Sequence, residues 1–315
     1  MRKFLSISLN TARDIIRQPV IAVLTVACIV TIGILPVVTV FSLGQEERIV
    51  RDGAIASCFV YGLFFVAASS VASIFKQVRN GTAGSILAKP VSRELFFGAT
   101  YCGIMLACLF FVGMAVISAM LAVRMVLEDL QTDWLVGVIF AAAFFAAFAG
   151  AGAANYRGHN FCSALFKALL LCLLPALVIS AFLDPAGHLV RFGSLVRWEL
   201  LPVSLLIFAA LAMLASIAVA LSTRFAPVIV FSCCCLVFIL GLVSDYLFTA
   251  MAGGGPLAKL CAAILPNWQC LWIYGSLEGR GAVTPEYVMK ACGYAALYIG
   301  GVLSLGVLSF KTAET

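Results

Sequence analysis

The sequence predicts an all-α integral membrane protein: a polytopic helix bundle of about eight transmembrane helices, preceded by an interfacial helix. Three observations predict it. Of the 315 residues, 63% are apolar and only 11% are charged, with a mean hydropathy of +1.12. The apolar residues fall in uninterrupted runs of about 20 or more, the length that crosses hydrocarbon as a helix. Lysine and arginine gather in alternate connections, as cytoplasmic loops require.

The first element is an N-terminal helix over residues 1–18. Leu5, Leu9, Ala12 and Ile16 recur at helical spacing with Phe4 and Ile15, while Arg2, Asn10, Arg13, Asp14 and Arg17 fall mostly on the other side. That pattern predicts a helix lying along the inner leaflet, its arginines towards anionic headgroups. It is not read as a signal peptide, because the apolar run that follows is too long for one. Pro19 turns the chain into the membrane.

The transmembrane domain, 19–315, contains spans at roughly 20–43, 54–75, 95–123, 134–154, 161–183, 200–222, 227–248 and 287–310. The fourth and fifth form a hairpin around Asn155 to Asn160, NYRGHN, and Pro175 is expected to kink the fifth. Gly150 and Gly152 suit close helix approach, although a helix merely rich in small residues explains them equally well. In 249–286 a Gly-Gly-Gly-Pro break leads into two short apolar pieces on either side of Pro266-Asn267. Each is too short to span, and Trp268, Trp272 and Tyr274 are interfacial residue types. Two short helices lying in, or dipping into, the outer leaflet are expected there.

Charge sets the orientation. With the N-terminus inside, the inner segments hold twelve bases against Asp14, Glu94 and Glu314, a balance of +9; the outer segments hold eight bases and eleven acids, or −3. Both termini are therefore expected in the cytoplasm of a multi-pass cell-membrane protein. The densest inner segment is 76–94, KQVRNGTAGSILAKPVSRE, with Lys76, Arg79, Lys89 and Arg93 against Glu94. Residues 77–87 can form a short helix that Lys89-Pro90 stops. Held at the mouth of a bundle, it offers a docking surface for a soluble partner.

Several chemistries are missing from the sequence. It has no GxxxxGK[ST] loop, HExxH or GxSxG. His159 and His188 are assigned to opposite sides of the membrane, and the middle of every span lacks ionisable groups, unlike proton-coupled carriers and intramembrane hydrolases. The twelve cysteines contain no CxxC and read as small packing residues, though Cys261 and Cys270 share the outer loop and would pair in an oxidising compartment. No enzyme, cofactor, metal or nucleic acid is indicated.

Three stretches carry a resemblance: GTAGSILAKPVSRELFFG (81–98); LSTRFAPVIVF (221–231); and SDYLF (244–248) with LPNWQCLWIYGSLEG (265–279). In this order the chain resembles the permease subunit of ABC-2 type transporters, in particular the multi-copper enzyme maturation branch. The resemblance implies two permease chains forming a translocation path, in a homo- or heterodimer within membrane lipid, above two separate ATPase subunits. It implies a coupling element at Arg79, Asn80, Gly81, Thr82, Lys89, Pro90, Arg93 and Glu94. The turn Thr223-Arg224-Phe225 and the N-terminal helix would make secondary contacts. Export is the commoner direction in that family. Six spans are usual there, so 134–183 would be an inserted hairpin. A membrane scaffold or assembly factor that moves nothing is the alternative.

Overall fold

The computed structural model describes residues 2–39, 46–75, 93–126, 132–245, 265–268, 270–271 and 284–313. Among them the chain forms nine α-helices: α1 Arg2–Ile16, α2 Pro19–Val38, α3 Glu46–Ser70, α4 Arg93–Arg124, α5 Trp134–Tyr156, α6 Phe161–Ser180, α7 Leu200–Ser222, α8 Pro227–Asp245 and α9 Pro285–Ala313. The last turns of α3 pass into a π-helical turn, Val71–Phe75. Two isolated antiparallel bridges, Val126 to Thr132 and Leu183 to Leu189, are its extended pairings among the described residues. The protein is thus an all-α polytopic bundle.

Seven of these helices are long and apolar enough to cross a membrane, against the eight spans expected. The eighth, α8, is described over 19 residues, of which Pro227–Val243 form a shorter apolar helix. Its expected continuation to 248 lies outside the described residues. Elsewhere the helices start earlier than apolarity alone suggests. Glu46 and Glu47 open α3 in a first turn that favours negative charge, and Arg48 reaches Asp52 one turn on, Nε to Oδ2, at 3.7 Å. Pro285 similarly occupies the first turn of α9, where its missing N–H costs nothing. Pro175 sits inside α6, which continues as helix on both sides of it.

The chain forms two compact units. One comprises Met1–Ala12, Leu63–Cys108 and Leu205–Thr315; the other comprises Arg13–Gly62 and Leu109–Ser204. Helices α1, α3, α4 and α7 each contribute residues to both.

In the first unit α7 supplies the core: Leu206, Leu211, Met213, Ala215 and Val219 are fully or almost fully buried. The buried Tyr101 hydroxyl of α4 donates to the Ala212 carbonyl at 3.0 Å. Phe64 stacks on Phe231 with ring centroids 5.1 Å apart. At Gly306 of α9 a Cβ would stand 2.8 Å from the Phe97 ring and 3.1 Å from Ala220, so only glycine lets these backbones meet so closely.

In the second unit α5 and α6 form the expected hairpin. Gly158 turns it at φ +85°, and Asn160 Oδ1 caps α6 by accepting from Ser163 N at 3.2 Å. Gly150 makes only an ordinary contact with Ala168, and nothing lies within 4 Å of a Cβ built on Gly152. Gly152 is thus not used for close packing among the described residues. Gly33 of α2 is: a Cβ there would lie 2.5 Å from Phe140 of α5.

A charge cluster that hydrophobic periodicity does not reveal closes this unit. Arg124, at the end of α4, pairs with Asp133 through Nη1 and Oδ2 at 3.1 Å, with side chains 2% and 1% exposed. Its Nη2 donates to the Leu183 carbonyl at 2.9 Å. Asp133 Oδ1 caps α5, accepting from Leu135 N at 3.1 Å and Val136 N at 3.3 Å, while Asp133 N donates to the Met125 carbonyl at 2.7 Å. One buried pair therefore ties together the end of α4, the start of α5 and the strand-like turn after α6. The cluster leaves Arg124 Nε buried without a partner.

Removing one member strands the other as a bare buried charge, a loss of about 3–5 kcal/mol. Arg124→Ala should lower the thermal unfolding midpoint in detergent clearly more than Arg48→Ala, whose ion pair is half-exposed. Equal small shifts would contradict this account.

Candidate functional site

The coupling residues expected at Arg79, Asn80, Gly81, Thr82, Lys89 and Pro90, and the short helix over 77–87, lie outside the described residues. What is described is how the segment is framed. The π turn Val71–Phe75 leads into it, and its last two residues, Arg93 and Glu94, open α4, with Glu94 exposed. The two short outer helices also fall mostly outside, as do Trp272, Tyr274 and Cys261. Cys270 is an exposed free thiol.

The second expected contact is well defined. Helix α7 stops at Ser222 because the N–H groups of Arg224 and Phe225 both return to the Leu221 carbonyl, at 3.1 and 3.0 Å, and Pro227 then starts α8. Thr223 is buried, its hydroxyl donating to the Ala220 carbonyl at 2.7 Å. Arg224 and Phe225 are exposed. Arg224 Nη2 donates to the Ser309 carbonyl of α9 at 3.2 Å, fixing the turn to the last helix.

Arg224 and Phe225 also line a cleft of about 360 Å³ in the first unit, at the small end of ligand-pocket volumes. Leu221 of α7, Val237 of α8, and Tyr298 and Leu305 of α9 form its walls, with Leu265 and Pro266 beside them. The lining is apolar apart from the guanidinium and a few polar atoms. The sequence pointed to Arg224 only as an inner-turn contact, since a cleft between three helices leaves no local pattern.

The segment 265–268 is the least regular part of this site. Trp268, expected at the membrane interface, is instead 2% exposed. Its ring lies over Gly241 of α8, where any Cβ would collide with it, and 6.3 Å from the Phe238 ring. Its Nε1 lies 3.4 Å from the Val237 carbonyl, a long hydrogen bond. Asn267 N donates to the Tyr294 hydroxyl at 3.2 Å, and the Tyr287 hydroxyl donates to the Cys270 carbonyl at 2.8 Å. Val237 lies mid-way along α8 and Tyr294 inside α9, so 265–268 runs alongside these helices. Non-helical backbone at such depth persists only where protein groups or a cavity satisfy it. Burial wins over amphipathic preference because Gly241 provides a seat the size of an indole edge.

Among the described residues no three His, Cys, Asp or Glu side chains converge as metal ligands. The described ion pairs hold helix ends and turns, as at Arg197 Nη2 to Glu47 Oε2, 2.8 Å. The arrangement offers an apolar cleft of a size for an apolar or amphipathic group. No family model, curated protein or solved structure matches the chain.

Filling the seat tests the dipping segment. Gly241→Val should expel Trp268, red-shifting tryptophan emission and costing about 1–3 kcal/mol through overpacking. Unchanged emission would place Trp268 elsewhere.

Proposed function

We propose that this chain is the membrane subunit of an ABC-2 type transporter, moved by a separate ATPase that docks on segment 76–94. One observation carries the reading most strongly. The two helices that flank the segment, α3 with its π turn and α4, each contribute residues to both compact units. A displacement passed into α3 and α4 would therefore reach residues of both units.

The mechanism follows from this arrangement. ATP binding closes the partner subunits on one another, and the motion passes through the basic segment into α3 and α4. Thr223-Arg224-Phe225 serves as a secondary contact, because the Arg224 bond to Ser309 links that turn to α9. A second copy or a homologue of the chain completes the path, both termini face the ATPase side, and export is the expected direction. The open apolar cleft supports an apolar or amphipathic cargo more than a hydrophilic one. A static scaffold has no need of an irregular segment dipping beside an open cleft.

Purification in mild detergent should bring a P-loop ATPase with the chain. Arg79→Glu combined with Arg93→Glu should abolish that association, since both charges are reversed at the contact. Retention of the ATPase and of ATP-driven activity in the double variant would refute the coupling assignment. Recovery of the chain with no nucleotide-binding partner would favour the scaffold.

A further inference from the structure

The faces of α1 do not divide as its sequence periodicity suggests. The side that packs against the protein is Phe4, Ser8, Thr11, Ala12 and Ile15, with Ser8, Thr11, Ala12 and Ile15 at 7%, 5%, 4% and 0% exposure. Ser8 and Thr11 rest directly on α4. A Cβ at Gly103 would stand 2.6 Å from the Ser8 carbonyl oxygen and 2.7 Å from Thr11 Cβ, so the two backbones touch there only because residue 103 is glycine. Leu5 and Leu9, assigned from sequence to the same apolar face, remain 58% and 45% exposed.

At about 100° per residue, three strips run along the helix. The packed strip comes first, then Leu5, Leu9 and the half-buried Ile16, then Arg2, Arg13 and Arg17, all exposed. Asp14 lies at the far edge of the cationic strip, away from the leucines.

We propose that α1 binds the anionic headgroups of the bilayer, and that this binding holds α1 in its seat on α4. An exposed apolar strip beside a cationic one fits a boundary with hydrocarbon on one side and negative charge on the other. The chain itself locates that boundary: Gln18 follows Arg17, and the apolar path of α2 opens at Pro19. Leu5, Leu9 and Ile16 enter the acyl region while the arginines meet phosphate, whose oxygens suit the guanidinium fork. Because anionic lipid binds the seated helix, it shifts the seated-to-released equilibrium by mass action. Each arginine near an anionic surface contributes about fivefold to that shift. The proposal stands apart from the transport reading, and concerns the chain alone.

The test uses the full chain in nanodiscs of phosphatidylcholine alone and of phosphatidylcholine mixed with phosphatidylglycerol, with amide hydrogen exchange as the readout. Exchange over Arg2–Ile16 should be at least about tenfold slower in the anionic discs, while the α5–α6 hairpin is unchanged. Arg13→Gln with Arg17→Gln should erase the lipid dependence. Equal α1 exchange in both discs, or a difference that survives the double substitution, overturns the proposal. So does slowing by inorganic phosphate in phosphatidylcholine discs, which would make the ligand a free anion. Slowing only on addition of a soluble partner would give the strip to a protein instead. A second measurement leaves the charge intact: an environment-sensitive dye on Leu9→Cys should show the blue-shifted emission of an apolar setting, and water-like emission overturns the insertion.

Discussion

Hydrocarbon offers no hydrogen-bond partner, and this is the constraint on which the rest of the structure depends. Every polar group within the bundle must be satisfied by the chain itself. Thr25, Ser70, Thr100, Ser118 and Ser222 do so locally, each hydroxyl donating to the carbonyl four residues back at 2.6–2.9 Å. Tyr101 does so across helices, at the Ala212 carbonyl. The irregular backbone at Asn267 and Cys270 survives because Tyr294 and Tyr287 give it partners. Ser69 stands out, its hydroxyl buried with no partner.

The same constraint explains where charge goes. Helix α4 is 32 residues long and rises about 48 Å, well beyond the hydrocarbon thickness, so Arg124 at its end falls outside the apolar layer. There it is still enclosed by protein, and Asp133 with the Leu183 carbonyl balances it. Asp133 acts twice, as counter-ion and as cap of α5. Local helix chemistry and long-range packing thus agree on one residue, which is the condition for a sequence to specify one structure. Exposed pairs such as Lys290 with Glu286 contribute little by comparison.

Most of the bundle was legible in the sequence because spanning helices announce themselves by length and apolarity alone. The hairpin at 155–160 was legible too, since Gly158 and Asn160 carry their turn and cap preferences locally. The faces of α1 were not. Periodicity separates apolar from polar residues, but Ser8 and Thr11 are buried for a reason held elsewhere, in the missing side chain of Gly103. The burial of Trp268 was hidden for the same reason: its residue type carries an interfacial preference, and its seat is made by the absent Cβ of Gly241. The Arg124 cluster joins residues up to 59 positions apart, and only Asp133, ahead of an apolar run, left a local trace as a capping type. The cleft, built from three helices and a loop, left none.

The π turn at Val71–Phe75 stands directly before the basic segment. Such a turn carries one residue more than the α-helical path it interrupts. Were that surplus squeezed out, everything downstream from Lys76 would swivel by about 100° around the axis of α3 and slide by about 1.5 Å along it. The direction in which this helix ends at Phe75 is therefore set by a single inserted residue, and a local change of pitch is enough to aim it differently.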